Sequence, residues 1–354
     1  MSATDTRIAV VAAAQQPSER RSRRSEVQLL VPTINAVIEQ AGIERRDIGF
    51  TCAGSCDYLT GGPFAFVTNL EAAGAWPPIA ESHVEMDGAW ALYEAWVHLL
   101  TGEADIALVF GSGKSSPSVP AQVWGQQLDP YYLAPLGLDP VSLAALQARA
   151  LLDSGKATER DFAEVVARSR RAAQSNPNAQ VAGELDPEAL LAEPYVAPPL
   201  RRHDLPPISD GAAAVLLARG DRARELCERP AWITGIDHRL EPHQPGMRDL
   251  TASPSTALAA RKAGYDGGPL SVAELSAVFS PQELILREAL GLPQDTDVNP
   301  SGGALAANPI MAEGLIRIVE VASRIMAGAA DRGLAHATNG QALQHNLVCL
   351  LEGD

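Results

Sequence analysis

Positive charge is in short supply in this sequence. Its 28 Lys and Arg stand against 43 Asp and Glu, a formal net charge of −15, which opposes non-specific binding to nucleic acid or an anionic lipid surface. A phosphate-bearing ligand therefore needs a local basic patch. Cysteine is scarce as well. Cys52, Cys56, Cys227 and Cys349 are too few for a disulfide framework in a chain of this length, and Cys52/Cys56 have no second pair to complete a zinc site. Reduced, partly buried thiols and no metal are expected. Long apolar runs are missing too: Ile8–Ala14, with no charged region before it, is too short for a signal peptide or a membrane span. The expectation is a cytoplasmic protein with no membrane span.

What is present is apolar content enough for a large core, 46% of 354 residues, in a chain long enough for about two domains. Apolar β-branched runs alternate with helical periodicity, the pattern of an α/β protein. Ile8–Ala14 reads as a buried strand. Glu26–Ala41 carries Val27, Leu30, Val31, Ile34, Val37 and Ile38 close to a 3.6-residue period, with Gly42 placed to cap the helix end. Gly88–Leu100 reads as a second helix and Ile106–Phe110 as the strand after it. The Pro-, Ser- and Tyr-rich stretch 113–140 reads as an excursion from the sheet.

The chain also echoes itself. Gly88 and the turn Gly102-Glu103-Ala104-Asp105 return as Gly314 and Gly328-Ala329-Ala330-Asp331, each 226 positions further on. Both copies join a long apolar helix to a strand through a Gly-x-Ala-Asp turn, and each half ends in a similar strand, Ala212–Ala218 and Leu347–Leu351. The pattern predicts a duplicated α/β unit.

A doubled chain with Pro199-Leu200 before Ser209-Asp210-Gly211-Ala212-Ala213-Ala214, and Val298-Asn299-Pro300-Ser301-Gly302-Gly303 before Asn308-Pro309, resembles the thiolase superfamily, more narrowly its sterol-carrier-protein or lipid-transfer branch. The resemblance implies a thiolase fold: a duplicated, five-layered αβαβα core with a loop domain at about 112–200. It places an N-terminal half at 1–225, a C-terminal half at 226–354, and implies an obligate dimer. Gly302 and Gly303 would permit close backbone approach where a thioester passes. Lys114, in Gly111-Ser112-Gly113-Lys114, is a weaker candidate for a CoA phosphate contact, because no other part of a P-loop is present.

Thiolases carry four motifs, and the matching positions here hold other residues. The Cys-x-Ser-Gly of the nucleophile aligns with Glu85-Met86-Asp87-Gly88. The His or Asn motif that orients a water aligns with Ser276-Ala277-Val278-Phe279, Gly-His-Pro with Ala307-Asn308-Pro309, and the basic Cys-x-Gly with Thr338-Asn339-Gly340. Glu85, Ser276, Asn308 and Thr338 thus become the candidate site residues, with His83, Asp87, His336, Asn339 and His345 as further polar groups. Asn308 would stabilise a thioester enolate or cap a helix from Ile310 to Met326. Glu85 and Asp87 would be held by the helix dipole whatever the function.

Two uses of such a chain follow from the resemblance. One is a thiolase-like subunit of an acyl-CoA retro-aldolase complex acting on a steroid side chain, partnered by a thiolase-like paralogue or by a protein combining a zinc ribbon with an OB domain. The other is a non-catalytic carrier of acyl-CoA or lipid. Neither requires a bound cofactor, and coenzyme A enters as part of the substrate. The tyrosines expected of such aldolases near the second and fourth motifs are absent from 276–280 and 336–344, which favours a subunit role over a self-sufficient aldolase.

Overall fold

The elements form where the local chemistry directs them. In the computed structural model, which describes residues 5–75 and 78–354, the Ser25 side chain accepts from the Gln28 amide in a capping box, and Gly42 closes the helix in the left-handed region at φ 64°. Between them lies α1 (Glu26–Ala41), with the bounds the periodicity predicts. It follows β1 (Ile8–Gln15) and leads to β2 (Phe50–Gly54), α2 (Asp57–Thr60), α3 (Ala65–Ala73), β3 (Glu81–Val84), α4 (Gly88–Thr101) and β4 (Ile106–Lys114). The chain then leaves the sheet through α5 (Pro120–Gln126), α6 (Pro140–Asp153), α7 (Glu159–Ala172), α8 (Pro187–Leu191) and the two-stranded ribbon β5 (Tyr195–Ala197) and β6 (Leu200–Arg201). It returns as β7 (Asp210–Arg219).

The second half repeats the plan. After α9 (Gly220–Leu226) come β8 (Ala231–Leu240), α10 (Pro254–Lys262), β9 (Val272–Leu275), α11 (Ser280–Leu290), β10 (Asp297–Val298), α12 (Gly303–Ala306), α13 (Glu313–Met326), β11 (Arg332–Asn339) and β12 (His345–Glu352). Strand order β3-β2-β4-β7-β1 in one group of five is matched by β10-β9-β11-β12-β8 in the other. In both, two parallel pairings are followed by two antiparallel ones. The two groups touch through a short antiparallel contact, Ala9 to Trp232 and Val10 to Ala231.

Side-chain alternation sets the layers. Ala107 and Val109 of β4 join the central core with α4 and α13, whereas Leu108 and Phe110 face outward toward α1. On the far side, α10 and α11 cover the other sheet group, joined there by α6 and Phe162 of α7. The result is the five-layered thiolase arrangement with α4 and α13 as its middle layer. These two helices meet at their N-termini. A Cβ on Gly88 would stand 3.0 Å from the Leu315 side chain, and one on Gly314 would stand 2.6 Å from both Ala337 and the Asp87 carboxylate. Only glycine lets the two come so close. No helix among the described residues is long and apolar enough to cross a membrane.

Two sequence expectations change here. Gly111-Ser112-Gly113-Lys114 lies inside β4, paired with β7, rather than after it. The Lys114 amine donates to the backbone carbonyls of Ser22, at 3.1 Å, and Arg24. Its charge is spent within the fold, so it is not a free phosphate contact. Gly302 and Gly303 do take positive φ, 92° and 63°, but the close approach at Gly302 is to the end of α7, where a Cβ would lie 2.7 Å from Ala173 and Ser169 donates to its carbonyl, while Gly303 packs against Asn299. That turn fastens the excursion to the second half.

Candidate active site

Where α4 and α13 begin, a cavity of about 90 Å³ opens between the halves, lined by Asp87, Asn308, Met311, Glu313, Thr338 and Asn339, with Phe279 and Gln282 on one wall. At that size it admits the reacting end of a substrate and not a whole acyl-CoA, since sites for drug-sized ligands run to roughly 300–1,000 Å³. A neighbouring cavity shares Asn339, Gly340 and Gln341 and adds His243, Arg248 and His345. Backbone strain collects here. Of five non-glycine residues with positive φ among those described, Met311 (79°), Ala342 (54°) and Leu343 (59°) line the first cavity, and strain of this kind persists at functional sites when the surrounding packing enforces it.

The structure brings Asn308 and Thr338 to one cavity. Asn308 is nearly buried, and its backbone N–H donates to Ser209 Oγ at 2.9 Å. Its side-chain amide makes no hydrogen bond among the described residues and lines the opening. The capping role weighed for it belongs elsewhere. Helix α13 starts at Glu313 with Ala312 as its cap position, and the acceptor for its first amides is Asp87. One Asp87 oxygen accepts from Ala89 and Leu315, both at 2.9 Å, and the other from Gly314 at 3.0 Å. A single carboxylate thus caps two helices. Thr338 Oγ1 donates to the His345 carbonyl at 3.0 Å.

Ser276 lies one layer beneath the cavity and reaches it through Glu313, to whose carboxylate its hydroxyl donates. Glu85 stands outside the lining. Its carboxylate accepts from the Asp57 amide at 2.6 Å beside the Cys56 thiol, and burial raises its pKa. His83 is on β3, stacked on Phe66 at 3.6 Å and paired with Glu81. His336 is a core residue: its Nε2 meets Asn346 Oδ1 at 3.1 Å, and burial pushes its pKa down to about 4. His345 lines the neighbouring cavity, its pKa lowered by burial and by His238 and His243.

Sequence reasoning missed Glu313. Its carboxyl is buried, faces the cavity, and has a pKa raised to about 7 by desolvation against the opposing pull of Arg317 and Ser276, with Asp87 and Glu274 adding to the rise. Arg317 Nε lies 3.1 Å from one of its oxygens. The signal was present: the 226-residue offset that pairs Gly88 with Gly314 also pairs Asp87 with Glu313. Each long helix opens on an acid and a glycine.

No protein-family model matches the chain. Over 343 residues it is 29% identical to an acetyl-CoA acetyltransferase of Methanothermobacter thermautotrophicus, covering 88% of both sequences. Over 311 residues it is 27% identical to the 17-hydroxy-3-oxo-4-pregnene-20-carboxyl-CoA lyase of Mycobacterium tuberculosis, covering 80% of this chain and 78% of that one. Human mitochondrial 3-ketoacyl-CoA thiolase superposes with a TM-score of 0.80 at 16% identity over 99% of each chain. The chain is thiolase-like. A solved Ltp2-ChsH2(DUF35) aldolase superposes equally well, with a TM-score of 0.80 at 22% identity over 99% of each chain. The thiolase-like chain therefore shares its fold with a thiolase and an aldolase alike, and fold alone does not choose between their chemistries.

Proposed function

We propose that this thiolase-like chain is a subunit of an acyl-CoA lyase complex that cleaves the side chain of a steroid or similarly bulky substrate by a retro-aldol reaction, with coenzyme A entering as part of the substrate. The observation that carries the reading is the composition of the cavity, which offers carboxyl, amide and hydroxyl groups and no thiol. Thiolytic acyl transfer needs a thiolate nucleophile. The four cysteines lie elsewhere, and burial pushes the thiols of Cys52 and Cys56 up to about 12 and about 11. A retro-aldol step needs a base for the hydroxyl and a donor for the enolate oxygen, both available from the groups present.

The similarity to a named CoA lyase supports this choice. The two-component name of the aldolase structure supports a heteromeric assembly, with a thiolase-like paralogue or a zinc-ribbon/OB protein as the partner. Strand β3 also supports a further chain: among the described residues it pairs only with β2, leaving that sheet edge free to continue into another subunit. A mixed dimer is the form proposed. The alternative, a carrier that encloses a lipid, would have to use another site, since this cavity holds about 90 Å³ and larger ones, of about 640 and 730 Å³, lie elsewhere.

The purified chain is expected neither to cleave nor to form acetoacetyl-CoA. Turnover at ordinary enzyme rates that cysteine alkylation abolishes would sink the proposal. Co-expression with neighbouring genes and pull-down is expected to recover a paralogue or a zinc-ribbon/OB protein, and a stable ligand-loaded homodimer would favour the carrier instead. In the reconstituted complex, Asn308→Ala should lower turnover by about 10²–10³ with assembly intact, the usual cost of losing one oxyanion donor. Unchanged turnover would move the reaction to the partner's cavity.

A further inference from the structure

Two carboxyl groups line the cavity, and their surroundings give them different tasks. Asp87 holds three backbone N–H groups, on α4 and α13, and its oxygens are committed to those donors. Glu313 is held by side chains alone. Ser276 donates to one oxygen, and Arg317 Nε, 3.1 Å from the other, is not aligned to hydrogen-bond it. The other charged group packed against it, Glu274 of β9, sits behind the cavity with its own oxygens taken by Ser301 and Arg317. Glu313 is therefore the carboxyl lining this cavity that has an oxygen without an aligned donor, an oxygen closed off from solvent beside Arg317; Asn308, with its unpartnered amide, lines the same cavity.

We infer that Glu313, positioned by Ser276, is the proton-transfer group of this cavity, acting on a β-hydroxyacyl-CoA. The inference rests on the lyase reading and names its base. Glu313 takes the proton of the β-hydroxyl. As that oxygen forms a carbonyl, the bond between the α and β carbons breaks and its electron pair moves onto the thioester, giving an enolate whose oxygen accepts from Asn308. The proton then returns from Glu313 to the α carbon, releasing a shortened acyl-CoA and a ketone or aldehyde, with no oxidant or reductant required. Burial against Arg317 brings the group close to neutrality, to about 7, where one carboxyl can both accept and return a proton.

Two measurements test this. Infrared difference spectra of the intact protein across pH 5 to 9 should show a buried carboxyl with a midpoint of about 7, absent in Glu313→Gln and moved to higher pH in Ser276→Ala, because the Ser276 bond favours the carboxylate. The assembled complex should also exchange the α-protons of butyryl-CoA for deuterium in heavy water, faster as pH rises through that midpoint, and Glu313→Gln should slow exchange by about 10²-fold or more. A folded Glu313→Gln variant that exchanges at the wild-type rate overturns the assignment alone. No exchange by the wild-type complex sinks the lyase reading with it. If Glu313→Gln folds poorly, Ser276→Ala decides, since an unmoved midpoint there contradicts the assignment.

Discussion

Arg317→Ala is expected to lower the unfolding free energy by about 3–5 kcal/mol, the range for removing one partner of a buried ion pair. Arg317 is 2% exposed. Its Nη1 lies 2.8 Å from Glu274 Oε2 and 2.8 Å from Ser301 Oγ, while its Nε faces Glu313. Alanine would leave Glu313 without its counter-charge and Glu274 of β9 with only Arg324, 3.8 Å away, and desolvation already raises the pKa of both. The loss should therefore depend on pH. A carboxyl with a raised folded pKa contributes stability that is complete below its unfolded value and lost as pH rises through the folded one. For Glu313 in the wild type that window runs from 4.5 to about 7. In the variant it extends further upward, so the deficit should be smaller at pH 5 than at pH 8 by urea denaturation. An equal deficit at both, or one under about 1 kcal/mol, would contradict the proposed role of the cluster.

Asp87→Ala should cost about 3 kcal/mol or more, because each buried donor left unsatisfied costs about 1–3 kcal/mol and three are stranded: Ala89, Gly314 and Leu315. Asp87→Asn should lose less, keeping one acceptor oxygen. Chemical denaturation of both variants checks the order alanine below asparagine below wild type. If alanine were within about 1 kcal/mol of wild type, water from the cavity would have to be capping both helices in its place.

How much of this was legible in the sequence differs from element to element. The duplication was, because glycine at the helix crossing and the Gly-x-Ala-Asp turns are local requirements that leave the same residues at both copies. Helix α1 was legible to its last residue, since its apolar period runs to Ala41 and Gly42 marks its end; the Ser25 cap at its start was not singled out. Strand β3 was not: it is four residues long, mostly half-buried, and alternates weakly. Asn308 and Thr338 were placed on one cavity by motif position, whereas Glu85, placed by the same reasoning, faces Asp57 instead. Lys114 failed because nothing local announces that two carbonyls some 90 positions earlier will take its amine. Glu313 escaped notice for a related reason. An acid in the first turn of a helix is ordinary, and only burial, a property of the assembled halves, makes this one unusual.

Strand order has a consequence for how the chain is made. Strand β12 lies between β11 and β8, and among the described residues β8 carries the only ladder to the first half of the sheet. During synthesis, β10, β9 and β11 can pair among themselves, but until residues 345–352 leave the ribosome no strand joins them to β8 and β1, and only helices tie them to the first half, among them α13, packed on α4 and β1 and capped by Asp87. The apolar residues that β12 covers, in the middle layer on one face and under α10 on the other, stay exposed or sheltered by a chaperone until that strand arrives. A product that stops near residue 340 is then a sheet split in two and held only through its helices rather than a slightly trimmed protein, a substrate for proteolysis more than for assembly.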